Sequence, residues 1–218
     1  MEGATGTTIP LAAATEERER LVARAKLLAR LGLAWHAVEA TVAVSAGIVA
    51  GSIALIGFGA DSLIEMLAGG IVLWRFSGAR AAGEGAEHPA HRLIAVTFWV
   101  IAAYVGAESL RVLIAGDHPS VSYVGIALSI VTLATMPPLA AAKARVASAL
   151  DSPAVRSEGR QTSLCAYLSV ALLLGLGANA VFGWWWADPL AALVIAGVAI
   201  NEGREAWRGE GCTEDHCC

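Results

Sequence analysis

Apolar residues in this 218-residue chain fall into long blocks, broken by short polar stretches, rather than into amphipathic stripes. Each block is close to the roughly 20 residues that carry a helix across a bilayer. The pattern predicts six membrane spans, at about residues 27–50, 52–76, 93–115, 121–142, 162–182 and 187–202. Polar loops are expected at 77–91 and 143–160, and a Gly116-Asp117-His118-Pro119 turn after the third span. Pro137 and Pro138 are expected to bend the fourth span near Met136. Trp184, Trp185 and Trp186 follow the fifth, where amphipathic rings suit a headgroup boundary. Residues 1–14 read as an unstructured lead, and Thr15 as the cap of an amphipathic helix merging into the first span. The expected organisation is a tail and lead-in at 1–26, a six-helix domain at 27–202 and a tail at 203–218. The fold class is therefore all-α and polytopic.

Composition supports the membrane reading. Hydrophobic residues make up 56% of the chain and charged ones 16%, with a mean hydropathy of +0.61, too apolar for an ordinary water-soluble domain. Of the 15 basic residues, all but Arg111 flank what would be a single face of the bundle. That asymmetry places the face, and with it both termini, in the cytoplasm, and the plasma membrane is the expected location. Met1 to Ala14 lacks the basic start of a secretory signal. The basic residues hug the membrane, so nucleic-acid binding has no support. Too few residues follow the sixth span to bury a further core.

Candidate chemistry centres on GSIALIGFGADSLIEMLAGGIVLWRF, Gly51 to Phe76. A carboxylate at bilayer depth costs about 2.5–3.5 kcal/mol on insertion scales, and this helix carries two, Asp61 and Glu65. Four residues apart, they share one helical face and make half of a cation site. No Lys or Arg falls mid-span, which argues against a dedicated counter-ion. In the fifth span Gln161 and Cys165 repeat the spacing. Thiolate is a soft metal ligand and an amide oxygen a weak one, but a lone buried cysteine is more often a small hydrophobe and Gln161 could cap the helix. His36 and Glu39, three apart in the first span, are candidates for an ion or proton path, against the reading of a satisfied interior histidine. Asn179 reads as a helix–helix hydrogen-bonder, Asp188 as a cap, and Glu108 with Arg111 as a local ion pair. His88 and His91 read as solvated loop residues. At the end of the chain Cys212, His216, Cys217 and Cys218 form either a soft-metal site or an inert tail.

These residues resemble the cation diffusion facilitator family. Asp61 and Glu65 fall on the two acidic positions of that family's second helix. The segment from Ser157 through NAVFGWWWADPLAALVIAGVAI, with its Ala187-Asp188-Pro189-Leu190 turn, is similar to the fifth and sixth, and Glu108-Ser109 to the end of the third. The resemblance implies a six-helix transporter, usually a homodimer, that exchanges cytoplasmic zinc or a similar divalent ion for protons. It implies a tetrahedral site from Asp61, Glu65, Gln161 and Cys165. The family's usual His and Asp of helix five are replaced here by Gln161 and Cys165, which favours a softer selectivity, cadmium included. The family's C-terminal cytoplasmic domain is not expected in this short form.

The expected function is efflux of a divalent transition metal by proton antiport, with metal, protons and lipid as partners and no resident cofactor. The rival reading is a non-transporting membrane metal sensor that uses the acidic helix and the Cys tail. An intramembrane enzyme lacks a paired-histidine or Ser/His arrangement at depth.

Overall fold

Where no water reaches the backbone, a segment must satisfy its own N–H and C=O groups, and a helix does so within itself. A computed structural model of the chain describes residues 11–77 and 87–208. Those residues form six helices: α1 Leu11–Ala50, α2 Ile53–Arg75, α3 Glu87–Ala115, α4 Tyr123–Leu150, α5 Pro153–Phe182 and α6 Ala187–Arg208. The first five are long and apolar enough to cross a membrane. The last turns of α6 carry Asn201, Glu202, Arg204 and Glu205, which lower its hydropathy. Every helix exposes large apolar side chains, among them Val49, Leu63, Val100, Val131, Leu174 and Val194. An apolar exterior on all sides suits lipid rather than water. The chain is an all-α polytopic membrane protein.

Several helix boundaries differ from the expected ones: α3 already begins at Glu87, α6 runs on to Arg208, and two further differences matter more. First, α1 begins at Leu11, so Thr15 lies inside the helix instead of capping it. Second, most of the expected 143–160 loop is helical: α4 runs on to Leu150, and Pro153 opens α5. Only Asp151 and Ser152 separate them, with Asp151 left-handed at φ 47°. Apolar spacing at the basic end of both helices continues past the bilayer-length core, and Val146, Ala147, Ala154 and Val155 bury there. Meanwhile α4 stays helical through Pro137 and Pro138, although neither ring can donate to the preceding turn.

Three antiparallel-type pairings build the bundle: α1 along α2, α4 along α5, and α3 along α6. α2 also touches α3, α5 and α6, and α1 touches α4. That central position of α2 follows from its small residues. A Cβ on Gly59 would lie 2.7 Å from Val44, so only glycine permits this approach to α1. Gly175 does the same for α6, where a Cβ would meet Ala191 at 2.7 Å.

The end of the bundle away from the basic residues is braced by polar contacts. Asp188 is fully buried. It accepts hydrogen bonds from Ser52 Oγ (2.5 Å) and from the Ile53 and Ala54 N–H groups (3.1 and 3.5 Å). So Asp188 caps α2 from across the bundle rather than capping its own helix, and its charge sits at the positive end of the α2 dipole. Asn179 Nδ2 donates to Pro119 O at 3.0 Å, and His118 stacks on Trp185 at 4.8 Å. The expected Glu108–Arg111 pair is present at 2.5 Å, and Arg111 also reaches Asp117 at 2.8 Å.

Candidate metal site

α1 presents a buried stripe of Ala25, Ala29, Gly32, His36, Glu39, Ala40 and Ala43 toward its neighbours. The small residues let α2 and α4 close in, so the two polar side chains end up enclosed. His36 is 2% exposed and Glu39 0%. Across from them stand Glu65 of α2 and Cys165 of α5, also buried. One donor atom from each of His36, Glu39, Glu65 and Cys165 lies within 4.8 Å of the others.

The two carboxylates of this group are held very differently. Glu39 is saturated. Its Oε1 accepts from Thr132 Oγ1 of α4, and its Oε2 from Ser62 Oγ of α2 at 2.9 Å. His36 Nδ1 lies 2.9 Å from Oε2, and Cys165 Sγ approaches the same oxygen at 3.8 Å. Glu65 is not satisfied: neither of its carboxylate oxygens has a hydrogen-bond partner. His36 Nε2 lies 2.7 Å from Glu65 Oε2, an ion-pair contact rather than a well-aligned hydrogen bond. A buried carboxylate whose close polar neighbour is one imidazole keeps acceptor capacity that a cation could fill.

The donor chemistry fits a metal ion. Imidazole, thiolate and carboxylate are the ligands of zinc and softer divalent ions. Tetrahedral coordination with metal–ligand distances of about 2.0–2.3 Å needs donors about 3.3–3.8 Å apart, so this group needs only a small contraction.

Of the four residues expected as ligands, Glu65 and Cys165 are brought together. Asp61 is half-buried one turn along α2, outside the four-donor group. Gln161, one turn from Cys165, faces a cleft between α2, α5 and α6 that Ser157, Arg160 and Glu202 also line. Its Oε1 is buried without a partner. His36 and Glu39, read as path residues, stand inside the group itself. Cys212, His216, Cys217 and Cys218 lie outside the described residues, and so do the side chains of His88 and His91.

Sequence reasoning missed Ser62 and Thr132, which fix Glu39, and a buried ion pair near the site. Lys143 Nζ of α4 lies 2.7 Å from Glu158 Oε1 of α5, both nearly unexposed. The sequence places no lysine mid-span because residues 143–160 read as loop. The signal that would have found it is the helical spacing of Glu158, Thr162 and Cys165 on one α5 face.

Six helices, five of them long and apolar enough to cross a membrane, enclose a cluster of imidazole, carboxylate and thiol groups, which defines the chain as an integral membrane protein with a candidate metal site. Residues 30–208 match the family model for the cation efflux transmembrane domain, and the chain belongs to that family. It is 27% identical over 162 residues to an uncharacterized transporter of Synechocystis sp., a match that covers 70% of this chain and 51% of the relative. The chain thus spans about half the length of that curated relative.

Proposed function

We propose that this protein exports a divalent transition-metal ion, zinc or a softer ion such as cadmium, from the cytoplasm in exchange for protons. Membership of a cation efflux family supports the transport of cations. The observation that carries the finer reading is Glu65, a buried carboxylate with no hydrogen-bond partner beside an imidazole and a thiol. The ion binds between α1, α2 and α5, held by Glu65, Cys165 and His36, with Glu39 orienting the imidazole from behind. Asp61 and Gln161, each one turn away on α2 and α5, hand it on or join the shell as the helices shift.

Binding requires the thiol and any protonated carboxyl or imidazole to release protons. Protons that arrive from the outer side compete for the same atoms and free the metal. Their return to the cytoplasm would then drive export. The basic face of the bundle is the cytoplasmic one, the membrane is the plasma membrane, and the working unit is a homodimer.

The test is metal-driven proton flux and metal uptake in proteoliposomes with Glu65→Gln. Loss of both, with retained folding, supports the reading, whereas undiminished flux rejects the site. A wild-type protein that binds metal and moves none would instead be a non-transporting sensor.

A further inference from the structure

The ion pair Lys143–Glu158 lies on the same interior seam as the donor cluster. On α5, Glu158, Thr162 and Cys165 fall at i, i+4 and i+7, and all three are buried. On α1, Gly32, His36 and Glu39 repeat that spacing, and on α2 Glu65 is followed by Gly69. The pair therefore sits one to two turns from the cluster, toward the end of the bundle where α1 and α5 begin and α4 ends.

Four helices meet at this pair. Lys143 Nζ donates to Thr162 Oγ1 at 3.0 Å as well as meeting Glu158. Thr162 Oγ1 in turn donates to Glu158 O at 3.0 Å. α1 and α2 each place a glycine beside the charges, and on α1 the fit is tight. A Cβ on Gly32 would lie 3.0 Å from Lys143 Nζ, and one on Gly69 3.5 Å from Glu158 Oε1. Two opposite charges enclosed at the junction of α1, α2, α4 and α5 gain little net stability against an apolar pair of the same size. Their usefulness lies in being separable: the contact holds four helices together when made, and repels its own burial when broken.

We propose that Lys143 and Glu158 form an inner gate, closed in this conformation, that shuts the donor cluster off from the basic face of the bundle. Opening separates the ammonium from the carboxylate and lets each be solvated from that face, so that Glu158 then lines the approach to Cys165. This rests on the transport reading only for the direction of ion movement.

The test reads accessibility of Cys165 without any metal. In full-length protein with Cys212, Cys217 and Cys218 changed to Ser, a membrane-impermeant maleimide is applied to vesicles of each orientation. Glu158→Gln leaves a buried ammonium unpaired and is expected to raise Cys165 labelling from the basic face by about tenfold or more. The charge-swapped pair Lys143→Glu with Glu158→Lys is expected to restore slow labelling. Gly32→Ala supplies a milder wedge against Lys143 and should raise labelling from the same face even if Glu158→Gln fails to fold. Labelling of folded Glu158→Gln or Gly32→Ala at the wild-type rate, or a rise equal from both faces, would overturn the gate. Flux unaffected by Glu65→Gln would overturn the metal site and leave the gate standing.

Discussion

His36 and Glu65 approach each other at 2.7 Å across the α1–α2 interface, and neither forms a directed hydrogen bond there. The opposite ring nitrogen is well placed against Glu39 at 2.9 Å. Glu39, fixed by Ser62 and Thr132, therefore orients the imidazole, while Nε2 and the Glu65 oxygens face each other with capacity to spare. Metal sites use this arrangement: an outer carboxylate sets the ring, and the free nitrogen binds.

That geometry ranks the variants. His36→Gln and Glu65→Gln should each weaken zinc binding by about tenfold to a hundredfold, the loss typical when a ligand or its orienting partner is removed. Asp61→Asn should weaken it less, because Asp61 stands outside the four-donor group. Calorimetric titration of the purified variants measures the order. A reversed order, with Asp61→Asn the most severe, would return the site to α2 and α5 alone.

Cys165 supplies the soft donor. Replacing sulfur with oxygen in Cys165→Ser should reduce cadmium affinity by a larger factor than zinc affinity. Competition titration with the two ions reads the ratio, and an unchanged ratio would take the thiol out of the coordination shell.

Acid should weaken binding, and the sign follows from proton release. Where the free thiol is protonated, binding metal expels its proton, so log affinity rises with pH by about one unit per pH unit for each proton expelled. Affinity is thus lost as pH falls. In Cys165→Ser the slope between pH 6 and 8 should drop by about one proton. Titrations at several pH values would show this, and equal slopes in the two proteins would contradict it.

Asp188 is a stability determinant rather than part of the ion path. Asp188→Ala leaves Ser52 Oγ and the first N–H groups of α2 without their acceptor. It should cost about 1–3 kcal/mol, as a buried hydrogen-bond network that loses one partner does. Ser52→Ala should cost nearer 1 kcal/mol, the usual loss for a helix cap. Thermal unfolding in detergent measures both, and metal affinity in either folded variant should remain close to wild type.

Much of this was legible in the primary structure. Long apolar blocks fixed the helices, because a span in lipid has no alternative way to satisfy its backbone. The expense of buried charge singled out Asp61, Glu65 and Glu39, spacing of four paired Gln161 with Cys165, and the family resemblance set that pair against Asp61 and Glu65. The resemblance to cation diffusion facilitators agrees with the matched family domain. Less legible was the division of labour within α2. Asp61 and Glu65 share a face by spacing, yet a helix face is wide, and which residue meets α1 depends on rotation about the α2 axis. Gly59 and Gly47, where added Cβ atoms would collide with Val44 and Ile56, let α1 and α2 pack closely along that face. Residues 143–160 misled because charge density imitates a loop when the charges belong to buried or end-of-helix pairs.

The sequence by itself determined the class of protein and the material of its candidate site: helices through a membrane, and acidic, imidazole and thiol groups at a depth where burial of charge is expensive. Tertiary structure alone decided which donors meet. It brought His36 and Glu39 of α1 to Glu65 and Cys165, left Asp61 outside that four-donor group, set Gln161 on the neighbouring cleft, and joined Lys143 to Glu158. Periodicity along one helix is a local property, whereas the angle at which helices face one another is set by contacts among residues as much as 136 positions apart, the separation of Ser52 and Asp188.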